Sequence, residues 1–493
     1  MLTVVLILSL MACGILSWWR RIPNKDEPPA YPGALPLIGH AHLLLGDSVK
    51  LWNFAKKACL ESWKAGGAVS FSIGPKVFYV VTDPEDFLKI SNTCLQKDHI
   101  YEFFKAWLGN GLATSSVPVW KIHRKLLNPA FSPTVLHGFL DVFNGQSRRL
   151  VKDLEVEVGK GQFDHWIYTR NNTLETLCLT VMGVDIRDDQ KLYSEYINAV
   201  AEINSIMMER IQKFWLHSDF IYNWSALKRK QDACLKILHN MPYFILKQRK
   251  ADYQNFDKKQ IEKTAKGPIF KPFLDILLEL SIEEGAFNDR QIREHLDTAM
   301  FAGHDTTATV LMYNMLLVGS HPQVQEKIFE ELFNVFGDDD RDVTKRDLSQ
   351  LIYLDAVLKE TMRFYSVSPF VARLIDRDIK LRNWTLFKGQ SCLMSSYGVH
   401  MHPLWGPDVE QFKPERWLDP ASLPDFANWH SSFSLGRRNC LGKAYAMMSM
   451  KVTLARLYRH YRLSGDHTKL VNKMEILLKP VSGHHITIVK RNK

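Results

Sequence analysis

The sequence predicts a mainly α-helical chain with a minor β part (an α+β chain), folded as one large domain behind an N-terminal membrane anchor helix. Three observations carry this. From about residue 120 to residue 370 the apolar residues recur mostly at helical spacing. Strand-like alternation is confined to short stretches, at 68–83, near 371–399 and in the tail. Finally, 493 residues at 46% hydrophobic are ample for one large core, and no internal repeat divides it.

The chain opens on MLTVVLILSLMACGILSWWRR. Met1 to Trp19 is apolar apart from Thr3, Ser9 and Ser17. That length suits a membrane-spanning helix of about 20 residues. Trp18 and Trp19 suit the headgroup level, and Arg20 and Arg21 hold the following chain on the cytosolic side. A cleaved signal peptide is the rival, but no charge precedes Arg20 and no clear small-x-small site stands before the arginines. Residues 1–19 are therefore read as an uncleaved, single-pass anchor. Residues 20–40 read as a basic, proline-rich linker arm, in which Pro28, Pro29, Pro32, Gly33 and Pro36 block helix and stiffen the chain. Residues 41–493 remain for the folded domain.

Within it, AVSFSIGPKVFYVVTD (68–83) alternates about Gly74-Pro75 and predicts a β-hairpin. Asp83 then caps a helix with Pro84 in its first turn. A lysine-rich stretch, 249–268, reads as a solvated loop. A helix is predicted from about Asp289 to Gly319, roughly 45 Å long at ~1.5 Å per residue. The tail MEILLKPVSGHHITIVK reads as a closing hairpin around Ser482-Gly483.

Composition removes several function classes. Glycine and proline are at ordinary levels, so fibrous and disordered chains are excluded. The seven cysteines are scattered without a C-x-x-C pair, which argues for a reducing compartment and against a disulfide framework or zinc ribbon. The net charge of +10 fits a soluble basic surface, or attraction to anionic lipid or an acidic partner. No dense basic tract with interleaved aromatics suggests nucleic acid.

Four constellations carry chemistry. In FSLGRRNCLG, Cys440 lies among Arg437, Arg438, Gly436 and Gly442, ahead of a long helix. A thiolate is the form that binds a metal, and the arginines and the helix N-terminus favour it. A buried free thiol is the plainer reading. In FAGHDTTATVLMYNMLLVG, the helix carries Gly303, Thr306 and Thr307, all costly there, and a local cost of this kind marks candidate sites. Asp305 and Thr306 set a carboxyl beside a hydroxyl, suited to proton relay. The competing account is a buried helix whose threonines bond back to its own carbonyls. In LDAVLKETMRFY, Glu360 and Arg363 share one face of an apolar helix, so the pair is expected to be buried rather than a routine surface pair. In VWKIHRKLL, Trp120 and Arg124 share a face of a helix that is otherwise ordinarily amphipathic.

Together these motifs, in this order, resemble the cytochrome P-450 family. The pattern F-x-x-G-x-R-x-C-x-G, filled by Phe433, Gly436, Arg438, Cys440 and Gly442, is similar to the family's haem-binding signature. The resemblance implies Cys440 as the axial thiolate of haem iron and Arg438 on a haem propionate. Ser432 stands where many members have proline, which loosens the loop and removes no ligand. Ala302, Gly303, Asp305, Thr306 and Thr307 resemble the oxygen-activation motif. This implies Asp305 in proton delivery, Thr306 in oxygen activation and Gly303 as room for dioxygen. His304 is rejected as a second iron ligand, because adjacent helix positions point to different faces. Glu360 and Arg363, with Arg416 of FKPERW, match the family's E-x-x-R and P-E-R elements, implying a structural lock. Trp120, Arg124 and Arg373 match further propionate-binding positions. The stretch MFAGHDTT looks like the fatty-acid ω-hydroxylase clan, particularly its insect members. Some relatives there carry glutamate at the place of Ala302 and link it to haem; alanine cannot, so a non-covalent haem b is expected.

By resemblance the substrate pocket draws on Phe103, Phe104, Trp107, Phe301, Ala302, Val367, Val371 and Val481, apolar residues that imply a lipophilic substrate such as a fatty acid, hormone-like lipid or xenobiotic. The aromatic, basic stretch 213–230 is either an interfacial membrane element or an internal helix junction. No dinucleotide fingerprint follows a strand, so the resemblance implies electrons from outside, from NADPH through a flavoprotein reductase or cytochrome b5; Lys121, Lys125, Arg437 and Lys443 are the candidate face for it, with generic surface charge as the competing account. The expected activity is a membrane-bound haem-thiolate monooxygenase on the endoplasmic reticulum, its catalytic domain facing the cytosol. The glycan acceptors Asn171, Asn223 and Asn383 would then stay bare. A hydroperoxide isomerase or dehydratase on the same fold, and a non-catalytic haem sensor or lipid carrier, are the alternatives.

Overall fold

The computed structural model describes residues 2–19, 24–188, 190–255, 270–424 and 429–491. The principal helices are α1 (Leu2–Trp19), α2 (Ser48–Lys64), α3 (Pro84–Thr93), α4 (Val117–Leu127), α5 (Leu140–Leu154), α6 (Trp166–Leu177), α7 (Gln190–Gln212), α8 (Ala226–Asn255), α9 (Asp289–Ser320), α10 (Ile352–Phe364) and α11 (Lys443–His460). α9 is the axle of the molecule. Asn288 opens it with a reciprocal capping box to Gln291. From Thr307 to Gly319 every residue is buried, which is how a helix behaves when it crosses a core instead of bordering one. Gly319 allows the backbone of Ser464 and Gly465 to pass within 3.2 Å of where a Cβ would stand. Asn314 of α9 accepts from Tyr458 of α11 at 2.7 Å and donates to Thr361 of α10 at 2.9 Å, so one buried amide ties three helices.

The minor β part is as the alternation predicts at its first hairpin. β1 (Ala68–Ile73) and β2 (Lys76–Val81) pair antiparallel about Gly74, whose φ is +56°. β7 (Ser391–Ser395) then adds parallel to β2, and β4 (Phe370–Leu374) antiparallel to β7. Asp83 caps α3 by accepting from the N–H groups of Glu85 and Asp86. The proline-rich arm lies along β1: the Tyr31 N–H donates to Ser70 O at 2.7 Å and the His40 N–H to Ser72 O at 2.7 Å. His40, 1% exposed, accepts from the Ser72 N–H at 3.0 Å.

Two expectations are corrected. The tail is not a hairpin. β10 (Leu478–Ser482) pairs with β9 (Val471–Met474), while β11 (His485–Lys490) pairs with β8 (Tyr461–Gly465) and β3 (Phe163–Asp164). Gly483 has the positive φ of a turn, +83°, but it passes the chain from one sheet to another. The true turn is at 475–477, closed by the Glu475 N–H to Leu477 O at 3.1 Å. The stretch 249–268 does not begin as a loop, because α8 continues to Asn255. Buried Ile245 and Leu246 hold its last turns, with Arg249 donating twice to Asp275 at 2.8 Å. Residues 256–268 lie outside the described ones.

The predicted lock is present and buried. Arg363 donates to both oxygens of Glu360 at 2.8 Å, and Arg416 adds a third bond at 3.1 Å. The Trp417 indole N–H and the Lys413 backbone N–H complete the carboxylate. Arg363 spends its other donors on the carbonyls of His400, Val409 and Gln411. Every polar atom of this pair has a partner, which is the condition under which a buried ion pair is tolerable. At the N-terminus α1 forms, with Val4 to Met11 exposed. Among the described residues no helix is long and apolar enough to cross a membrane.

Candidate active site

The loop from Phe433 to Gly442 folds back so that the Cys440 N–H donates to Phe433 O at 2.9 Å. The reversal needs left-handed backbone at Ser434 (φ 59°) and Gly436 (φ 71°). Gly436 also sits against α3: a Cβ there would stand 2.7 Å from Ser91 Cβ and 2.9 Å from its carbonyl carbon. Gly436→Ala combines both faults and is expected to cost about 1–3 kcal/mol; chemical denaturation measures it, and an unchanged midpoint would contradict the close packing. Gly442 has an ordinary φ of −84° and precedes α11.

Cys440 lines a cavity of about 620 Å³. Of the seven cysteines it alone does so; Cys59, Cys94, Cys178, Cys234 and Cys392 are buried elsewhere and Cys13 is on α1. Its sulfur is deeply surrounded by protein and yet has free surface, because that surface is cavity wall. Burial pushes the thiol up, while the Gly442 N–H and the cations Arg124 and Lys443 pull it down.

Lys97, Arg124 and Arg438 line this cavity, and Arg373 stands beside Lys97. Arg438, 7% exposed, donates one Nη to Ser115 O at 3.0 Å and stacks on Trp120 at 4.6 Å, leaving Nε and the other Nη buried without partners. Arg373, 1% exposed, donates to Ala372 O at 2.9 Å and has Tyr101 beside it as a further partner, while its Nε has none. Lys97, absent from the sequence reading, is brought beside Arg373 by a β-bridge between the two residues. Burial, with Arg373 and Arg438 alongside, holds Lys97 well below the usual lysine range, and burial pulls Arg438 down to about 10. Buried cations with unspent donors and no acid opposite are the wall of a site for carboxylates. The residues present therefore fit a flat cofactor bearing two propionates over a cysteine sulfur. Arg124 also lines the cavity, and its Nε, Nη1 and Nη2 clamp Asn128 and Asn439, so it braces the Cys440 loop as well.

Across the cavity runs α9. The Thr306 hydroxyl donates to Ala302 O at 2.6 Å, the back-bond that a mid-helix threonine offers. Gly303 borders the cavity and also admits Leu177, whose Cδ2 lies 3.0 Å from the position of a Cβ. Asp305 is not free: its Oδ2 accepts from Lys479 of β10 at 2.6 Å. His304 lies off the cavity, buried, with burial pushing it down to about 4.

The family model described as cytochrome P450 (here written cytochrome P-450) matches residues 29–487. The chain belongs to the cytochrome P-450 family. Cytochrome P-450 4V2 of Homo sapiens is 31% identical over 495 residues, covering 99% of this chain and 94% of that one. Cytochrome P-450 4c3 of Drosophila melanogaster is 31% identical, covering 96% and 91%. Cytochrome P-450 4c21 of Blattella germanica is 30% identical, covering 100% and 98%. The likeness to that clan and its insect members holds. In fold, the chain matches the crystal structure of the cytochrome P-450DA heme domain with a TM-score of 0.79 at 21% identity, covering 95% of this chain and 99% of the other. The protein is a monooxygenase, and its family and fold carry haem on an axial cysteine thiolate.

The wall of this cytochrome P-450 cavity differs in part from the sequence reading. Phe104, Phe301, Ala302, Val367 and Val371 line it. Phe103 and Trp107 pack behind, Phe103 against Arg210 at 4.2 Å and Trp107 against Phe301 at 5.2 Å. Val481 is 52% exposed and takes no part. Its place is taken by Met474, Glu475, Ile476 and Leu477, because the β9–β10 turn, and not a turn at Ser482-Gly483, reaches inward. The pattern LL before the proline was the available signal.

Proposed function

We propose that this chain is a membrane-bound haem-thiolate monooxygenase that places one oxygen atom of dioxygen into a lipophilic substrate, with Cys440 as the axial ligand and electrons arriving from NADPH through a flavoprotein reductase. The observation that carries it is the single cysteine opening on the cavity opposite Thr306, rimmed by cations with unspent donors. Bound haem supplies the dioxygen chemistry. Lys97, Arg373 and Arg438 would hold its propionates, and Phe433 and Leu441 would keep water from the sulfur. With alanine at 302 no side chain there can ester-link, so the haem b is held non-covalently.

Asp305, oriented by Lys479, would move protons toward the Thr306 hydroxyl. Lys479 is 21% exposed at its side chain and so connects Asp305 with solvent. Asp305→Asn is expected to lower turnover by about a hundredfold, the lower end of what positioned acid–base groups contribute, and to enlarge the solvent deuterium isotope effect. An unchanged isotope effect would take Asp305 off the proton path. This acid–alcohol pair also disfavours a hydroperoxide isomerase, whose turnover would ignore NADPH and reductase.

The membrane assignment is supported by the exposed apolar side chains of α1 and by the exposed Phe220 (75%) and Trp224 (82%) of the 213–230 stretch. On the endoplasmic reticulum, α1 would anchor the chain with the catalytic domain in the cytosol. The exposed Lys121, Lys125, Arg437 and Lys443, with Ile122 among them at 61% exposure, form a basic face suited to an acidic reductase or cytochrome b5. The direct experiment reconstitutes purified protein with reductase and NADPH and screens lipids and xenobiotics. Product formation that requires both supports the reading, and a ligand-responsive spectrum without any product would make the chain a sensor or carrier.

A further inference from the structure

We propose that the cavity reads the polar end of its substrate through α7, and that it takes a lipid whose end group is uncharged, an alcohol, amide or ester, in preference to the free carboxylic acid. This deepens the monooxygenase reading and rests on it.

α7 turns Asn204, Met208, Ile211 and Gln212 to the cavity, positions that fall on one helical stripe. Two of the four are amides. Asn204 is 8% exposed and its Oδ1 has no hydrogen-bond partner; the Nε2 of Gln212 is likewise buried and unpartnered. An amide both donates and accepts, so each can meet a hydroxyl, amide or ester group on either side of its chemistry. Left unmatched in an apolar wall, each is a cost that a polar end group relieves. The same cavity wall carries the apolar Phe104, Phe301, Val367 and Leu477. An elongated lipid with one hydrogen-bonding end suits such a lining.

Charge decides which end group. The cations Arg210, Lys76, Lys473 and Lys479 each already have a partner. Arg210 donates to Leu216 O at 3.1 Å and to Asp219 at 2.5 Å, between the rings of Phe103 and Tyr222. Lys76 is held by the His99 ring, which contacts Asp98 at 2.6 Å. Lys479 belongs to Asp305, and Lys473 to Glu475 at 2.5 Å. Burial above all, with His99, Lys76 and Arg210 nearby, lowers His217, so its ring is neutral at neutral pH. Lys97, Arg373 and Arg438 would hold the cofactor's own carboxylates, and Arg124 is spent on Asn128 and Asn439. Glu475 and Asp305, the acids of this wall, hold Lys473 and Lys479, so neither cation is left for a ligand. An ionised carboxylate here would lose its water and gain no counter-ion, which is costly, whereas a neutral end group loses less and meets two amides.

The test uses the full-length holoprotein with lauryl alcohol, lauramide and laurate, reading affinity from the ligand-induced Soret shift and separately from the rise in melting temperature. At neutral pH the alcohol and amide are expected to bind about tenfold or more tightly than laurate. Laurate should gain as the pH falls toward its own carboxyl range. Asn204→Leu and Gln212→Leu should each weaken the alcohol and amide and shrink the discrimination. Laurate binding as tightly as the alcohol overturns the inference, as does a double variant that discriminates like the parent. No response to any of the three also overturns it, and leaves the haem–thiolate reading to the carbon monoxide spectrum, which tests that reading independently and reports that each variant is folded.

Discussion

In the Cys440→Ala protein, reduction under carbon monoxide is expected to lack the shifted Soret band near the violet–blue boundary, and NADPH-dependent turnover is expected to fall to background. The reason is positional. No other cysteine opens on the cavity, so no second thiolate can substitute, and the nearest histidines do not serve. His304 lies off the cavity on another face of α9, and His295 is hydrogen-bonded to His123 at 3.1 Å. The loop itself should persist without the sulfur, because Ser434, Gly436 and the Cys440 backbone N–H set its path. Porphyrin loading with a retained thiolate-type band after the substitution would remove Cys440 from its role.

The second large effect is on stability. Glu360→Ala leaves the guanidinium groups of Arg363 and Arg416, 0% and 2% exposed, without their carboxylate, and strands the Trp417 indole N–H and the Lys413 N–H. Breaking a buried pair from one side costs about 3–5 kcal/mol, against a total stability of roughly 5–15 kcal/mol for a folded protein. The expected outcome is little or no folded holoprotein at ordinary growth temperature and a much lower denaturation midpoint for what remains. A midpoint within experimental error of the parent would mean that the arginines find other acceptors. The lock matters for the site through geometry: Arg363 holds the carbonyl of His400, and the His400 ring accepts the Ser431 N–H at 3.0 Å, two residues before Phe433 opens the Cys440 loop.

Several of these features are legible in local spacing. The hairpin at 68–83 follows from alternation about Gly74, and the α3 cap from Asp83-Pro84. α9 was placed to within a residue at each end, although its capping box at Asn288 went unread. Arg438 lines the cavity where its motif puts it, and Arg373 stands beside the cavity-lining Lys97. The failures also have a common form. Arg124 of W-x-x-x-R lines the cavity, but the clamp it makes on Asn439 is a partnership the motif does not announce. Val481 was assigned to the pocket on the assumption that β10 turns back on β11, and it faces out. Lys97 sits in a loop with no pattern of its own.

What the chain's order of residues determined alone is whatever depends on neighbours in sequence: the helices, the first hairpin, the cysteine loop and the Glu360–Arg363 pair, because spacing sets which side chains share a face. What only the tertiary structure decided is every partnership between distant segments. Lys97 meets Arg373, Lys479 takes Asp305, β9 rather than β11 pairs with β10, and α7 turns two amides toward the cavity. Such contacts are chosen by burial and charge compensation over the whole core, and no local pattern encodes which remote group will be there to satisfy them.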